Sequence, residues 1–193
     1  METIKYQDLL SPQHNKRARD YRKIQYIVVH YTAIPGISSY KMAKRFSTTN
    51  RQVSTHFVVD EHEIWRCVPI DYAAWHCGST KYKHPKARND NSIGIDLCED
   101  KICCDTQKII DPDWYFTEET VHLGAKLVAA MCLANNIPEE NILRHYDVTG
   151  KDCPAPFVGD IISSVTGNRR NEDWKNFLKL VHDYMNQGVL IVK

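Results

Sequence analysis

The sequence predicts an α/β domain, a single mixed β-sheet flanked by helices, and three observations point to it. Two short, β-branched apolar runs, IQYIVVH at 24–30 and SIGIDLC at 92–98, have the length of buried strands. Apolar residues recur at helical spacing over 121–133 and again over 174–181. No repeat, low-complexity tract or linker divides the 193 residues, so strands mixed with helices argue for one sheet with helices on its faces.

Taken in order, residues 1–23 are polar and locally basic, with Lys16, Arg17, Arg19, Arg22 and Lys23 against Asp20. They are expected to form a solvated arm packed loosely on the domain, which occupies 24–193. The run 24–30 lies between charge and Pro35-Gly36, as a central strand should. Ser38 or Ser39 can cap a helix through Tyr40, Met42, Ala43 and Phe46. THFVVD and EIWRCV, separated by Glu61 and His62, suggest a hairpin although no Gly marks its turn. A short strand at 73–76 precedes a polar loop, 78–91, which carries Lys81, Lys83, Lys86 and Arg88. The run 92–98 is a second interior strand. Thr117, with Glu119 in the first turn, opens a long core helix ending at Asn135 or Asn136. Residues 141–145 form a strand entering the loop DVTGKDCPAPF, and a last helix over about 172–186 turns Trp174, Phe177, Leu178, Leu180 and Val181 inward.

Composition narrows the function. With 25 basic and 24 acidic side chains the formal charge is +1, too little to hold nucleic acid or an anionic membrane by field alone. Apolar content of 42% and charged content of 25% are those of an ordinary globular protein, and a monomer is expected. Seven cysteines are too sparse for a disulfide scaffold and odd in number, so most are expected as thiols. The N-terminus has no apolar core of signal-peptide length, and no run reaches the roughly 20 apolar residues that span a bilayer. Synthesis in the cytoplasm is expected, with any action outside the cell depending on separate release.

Three residues stand where chemistry is placed in such folds. His30 and His145 end strand patterns, and Cys153 follows in a loop shaped by Gly150 and Pro154. Two imidazoles and a thiolate suit zinc and leave a fourth tetrahedral position open. A buried thiol beside two hydrogen-bonded imidazoles is the plainer alternative.

The segments VVHYTA, STHFVVD, AAWHCG, NSIGIDLCED and RHYDVTGKDCPAP, in this order over roughly 24–185, resemble the type 2 N-acetylmuramoyl-L-alanine amidases, which include phage endolysins and peptidoglycan recognition proteins. The resemblance implies the peptidoglycan-recognition/amidase type 2 fold, one zinc per chain held by His30, His145 and Cys153, and Lys151 beside the reacting water. It also implies bacterial peptidoglycan as partner and hydrolysis of the amide between N-acetylmuramic acid and L-alanine. Endolysin relatives carry a glutamate as general base where this chain has Asp96, one methylene shorter. Thr55 stands where some relatives carry a tyrosine; it and His56, with Trp75 and His76 of AAWHCG, are expected to contact substrate. Glu99 is expected on the face opposite Asp96. Two other readings stay open: a peptidoglycan-binding module without catalysis, and a cysteine peptidase using Cys153 with His145 as base.

Overall fold

The alternation of side chains on two buried parallel strands decides what faces the helices and what faces the groove. A computed structural model describes residues 2–12, 16–103, 108 and 111–193. The chain runs β1 (Glu2–Lys5), β2 (Gln7–Asp8), β3 (Lys16–Ala18), β4 (Tyr26–Tyr31), α1 (Ser39–Thr48), β5 (Phe57–Val59), β6 (Ile64–Arg66), β7 (Tyr72–Ala74) and β8 (Ser92–Leu97). It continues with β9 (Asp100–Lys101), β10 (Trp114–Tyr115), α2 (Glu118–Asn135), β11 (Ile142–Arg144), α3 (His145–Thr149), α4 (Arg170–Gln187) and β12 (Val189–Val192).

The main sheet has the order β11-β4-β8-β5-β6-β2. Its central strands β4, β8 and β5 are parallel, and β6 closes a hairpin antiparallel to β5. β4 and β8 are buried along their whole length, which is why both appear as continuous apolar runs rather than alternating ones. On one face Ile27, Val29, Ile93, Ile95 and Leu97 join Leu127, Val128, Phe177 and Val181 of α2 and α4 in the main core. On the other face Val58 packs with Met42, Ala43 and Phe46 of α1. His30 and Asp96 are register partners of the same parity as Val28 and Gly94, so both project on the side away from α2.

Local chemistry accounts for the boundaries. Ser38 caps α1 by accepting from the Lys41 amide, and Thr117 caps α2 by accepting from the Thr120 amide. The β5–β6 turn needs no glycine because the Asp60 carboxylate accepts from the amides of His62 and Glu63 at 2.8 and 2.9 Å, a side-chain turn in place of a backbone one.

Two expectations change, and a strand not expected from the sequence appears. The described part of 1–23 is no loose arm: β1 pairs with β12, β2 adds to the main sheet beside β6, and β3 pairs with β7. The final strand β12 lay in a run, VLIV, too short and too close to the chain end to be distinguished from a helix tail. His145 opens α3 instead of ending a strand, since β11 stops at Arg144. The described cysteines are free thiols, all buried except Cys103; Cys104 lies outside the described residues. No helix among them is long and apolar enough to cross a membrane.

Candidate metal centre and groove

Four elements deliver the site. His30 sits one residue before the end of β4, opposite Asp96 on β8. β11 lies beside β4 in parallel, so His145, the first residue of α3, is set next to His30. α3 then ends at Gly150, whose φ of +83° is a left-handed conformation that glycine adopts without strain. The chain folds back, the Tyr146 amide donating to the Cys153 carbonyl at 2.9 Å, and Cys153 arrives beside His30.

His30, His145 and Cys153 are buried, and their ligand atoms lie within 4.8 Å of one another. His30 Nδ1 is 3.1 Å from His145 Nδ1 and 3.8 Å from Cys153 Sγ. Tetrahedral zinc with bonds of roughly 2.0–2.1 Å to nitrogen and 2.3 Å to sulfur would hold its donors about 3.3–3.6 Å apart; the donor types suit such an ion, and the two separations from His30 lie close to this range. Burial is the main cause that pushes the His30 pKa well below its usual value and that of His145 to about 4; both rings are neutral, the form in which imidazole binds a metal. Burial also lifts the Cys153 thiol to about 12. Without a cation it therefore stays protonated, which counts against a cysteine nucleophile.

Asp96 is 8% exposed, and burial raises its carboxyl to about 7, against a hydrogen bond with Thr55 and the nearby Lys151 ammonium, which lower it. Asp96, Lys151, His30, His145 and Cys153 line one cavity of about 310 Å³, together with Arg45 and Arg51. It adjoins a groove of about 720 Å³ lined by Trp75, Gly78, Ser79 and Thr149; His145 and Lys151 belong to both. The five residues expected to bind metal or react are thus brought together.

The expected substrate contacts divide. Trp75 lines the groove, with the Arg17 guanidinium 5.6 Å from its ring centroid. Thr55 is instead buried, its hydroxyl 3.5 Å from the Phe57 carbonyl and close enough to the Asp96 carboxyl to lower its pKa. His56 is fully buried; its Nδ1 accepts from the Gly94 amide at 2.9 Å and its Nε2 donates to the Tyr72 carbonyl at 3.0 Å, leaving nothing for substrate. This is a correction with a simple cause: β5 begins one residue later and carries His56 between β7 and β8. His76 lines the groove, yet its ring nitrogens face His30 and Ser92. Glu99 does not serve the groove, accepting from the Thr32 and Ile34 amides to hold the turn after β4.

Sequence reasoning missed Arg19. Its guanidinium donates to the carbonyls of Ile70, Asn89 and Ser92 at 2.9, 3.1 and 2.6 Å, behind the groove wall. A basic residue in a basic run gives no sign of this.

A family model described as N-acetylmuramoyl-L-alanine amidase, Amidase_2, matches residues 20–156. The N-acetylmuramoyl-L-alanine amidase CwlL of Bacillus licheniformis is 34% identical over 157 residues, covering 76% of this chain and 40% of its own. A probable N-acetylmuramoyl-L-alanine amidase of the same organism is 31% identical, covering 77% and 41%; the chain spans about two fifths of the length of these relatives. The solved structure of PlyL superposes with a TM-score of 0.70 over 92% of this chain and 97% of that one at 22% identity, a likeness of fold.

Proposed function

Since the chain belongs to the N-acetylmuramoyl-L-alanine amidase family, we propose that it hydrolyses the amide between the lactyl group of N-acetylmuramic acid and the L-alanine of the stem peptide, as a zinc-dependent endolysin or the catalytic part of one. The observation that carries this reading is the convergence of two neutral imidazoles and a thiol on one point, with a carboxyl and an ammonium lining the same cavity. The protein reaches the wall after release from the cytoplasm in which it is made.

His30, His145 and Cys153 would hold the zinc, which when bound supplies Lewis acidity toward water and toward the scissile carbonyl. Asp96 takes a proton from the attacking water and returns it to the departing alanine nitrogen, so that the amide and one water become a carboxylic acid and an amine, which settle as carboxylate and ammonium. A pKa near 7 suits a group that must both accept and give back a proton. The Lys151 ammonium donates to the oxygen that gains negative charge, an interaction that strengthens as the charge forms. Trp75 offers an apolar wall to sugar or peptide.

The test is the set of ends released from purified peptidoglycan. New L-alanine amines without new reducing sugar ends are expected; new reducing ends would overturn the assignment. Metal content separates the rivals: about one zinc per chain is expected, with zinc and activity both lost in Cys153→Ser. A peptidase would survive chelation, and a binding module would hold walls with or without zinc and cleave nothing.

A further inference from the structure

We infer that His76 is a positioning residue which fixes the ring of His30 so that its Nδ1 faces the metal position; the inference rests on the zinc reading above. Proton bookkeeping along a chain of contacts carries it. The Ser92 hydroxyl donates its one hydrogen to the Arg88 carbonyl at 2.6 Å, so its oxygen is left to accept from His76 Nε2 at 3.1 Å. A neutral His76 that donates from Nε2 has a bare Nδ1. That nitrogen lies 3.0 Å from His30 Nε2 and accepts its hydrogen. His30 protonated on Nε2 then has its lone pair on Nδ1, the atom that meets His145 and Cys153. Each link has one consistent direction, and the last sets the tautomer of a metal-binding ring.

The surroundings are built to hold His76 in this pose. Its backbone amide and that of Cys77 both donate to the Asn89 carboxamide oxygen, at 3.2 and 2.9 Å. Its ring lies over Gly94, where an added Cβ would come 2.6 Å from His76 Cγ. Ser92, Gly94 and Asp96 alternate along one face of β8, so a single strand supplies the hydroxyl that orients His76, the gap that admits its ring, and the carboxyl of the cavity. The rings of His30 and His76 meet edge to face, 89° apart with centroids 5.1 Å apart, the arrangement of a directed contact rather than a stack.

The experiment is zinc affinity by chelator competition on the full chain, with absorption of the cobalt-substituted protein as a second readout. His76→Phe keeps the ring's bulk without an acceptor and is expected to weaken zinc roughly 10- to 100-fold, while His76→Asn, whose Oδ1 stands near the Nδ1 position, is expected to stay within about threefold of the original. Ser92→Ala removes the next link and is expected to weaken zinc by less than His76→Phe, and it decides the matter if the Phe variant does not fold. Original affinity in both His76→Phe and Ser92→Ala, or equal loss in Asn and Phe, would overturn the inference. Should the unaltered protein bind no zinc, the functional reading falls and this one with it; tight zinc in all variants sinks this one alone.

Discussion

Asp96 differs from an ordinary aspartate only through its neighbours. Burial is the main cause that lifts it to about 7, and the Thr55 hydroxyl pulls it part of the way back. Removing that hydroxyl with Thr55→Val raises the pKa further, so the carboxylate needed as base disappears at a higher pH. The acidic limb of kcat/KM is then expected to move upward by roughly half to one pH unit, the equivalent of one hydrogen bond of about 1 kcal/mol; an unmoved limb in the pH profile would show that another group takes the proton. Asp96→Asn is expected to retain zinc and lose at least about 100-fold in turnover, measured by amine release against metal content. At this scale the sequence was informative about residue type and less so about occupation. His30, His145 and Cys153, the donors that the family resemblance implies, come together, although His145 does so from the first turn of α3 and not from a strand end. His56 and Thr55 stand in the same kind of segment but turn inward, since facing is set by neighbouring strands.

Helices and turns depend on local caps more than on the groove, and their stability can be tested separately from chemistry. Thr117 accepts from the Thr120 amide at 3.2 Å and donates to the Thr120 hydroxyl at 2.9 Å. Thr117→Ala is expected to cost about 1 kcal/mol in denaturant unfolding, with turnover of the folded protein unchanged; a large loss of turnover would tie the α2 terminus to the site. The long helix α2 follows from its helical periodicity, and the strands β4 and β8 follow from continuous apolar runs of strand length. Shorter elements escape that logic. β1, β2, β3 and β12 are two to four residues long and exist through partners far along the chain, as β1 does through β12. The switch from β11 to α3 at His145 is likewise a backbone event within a polar run.

At the scale of the whole molecule, the metal position joins β4, the start of α3 and the loop that follows, which is 123 residues from His30 at Cys153. A ligand bound only by the folded chain stabilises it by mass action, so free zinc at about 100 times its dissociation constant should add roughly 2.7 kcal/mol. For a chain of this size that is a rise of about 5–10 °C in Tm over the chelated protein, checked by thermal unfolding with and without chelator; equal Tm values would argue that no folded-state site exists. The sequence by itself determined the fold class, the two central strands and the two long helices, because these follow from run length, periodicity and side-chain chemistry that a linear pattern carries; the donor residues were implied by the family resemblance. Only the tertiary structure decided that Arg19 supports the groove wall from the N-terminal segment, that His56 is core, and that His76 meets His30. Those outcomes depend on which strands lie side by side and on which face each side chain emerges, and neither is written in spacing along the chain.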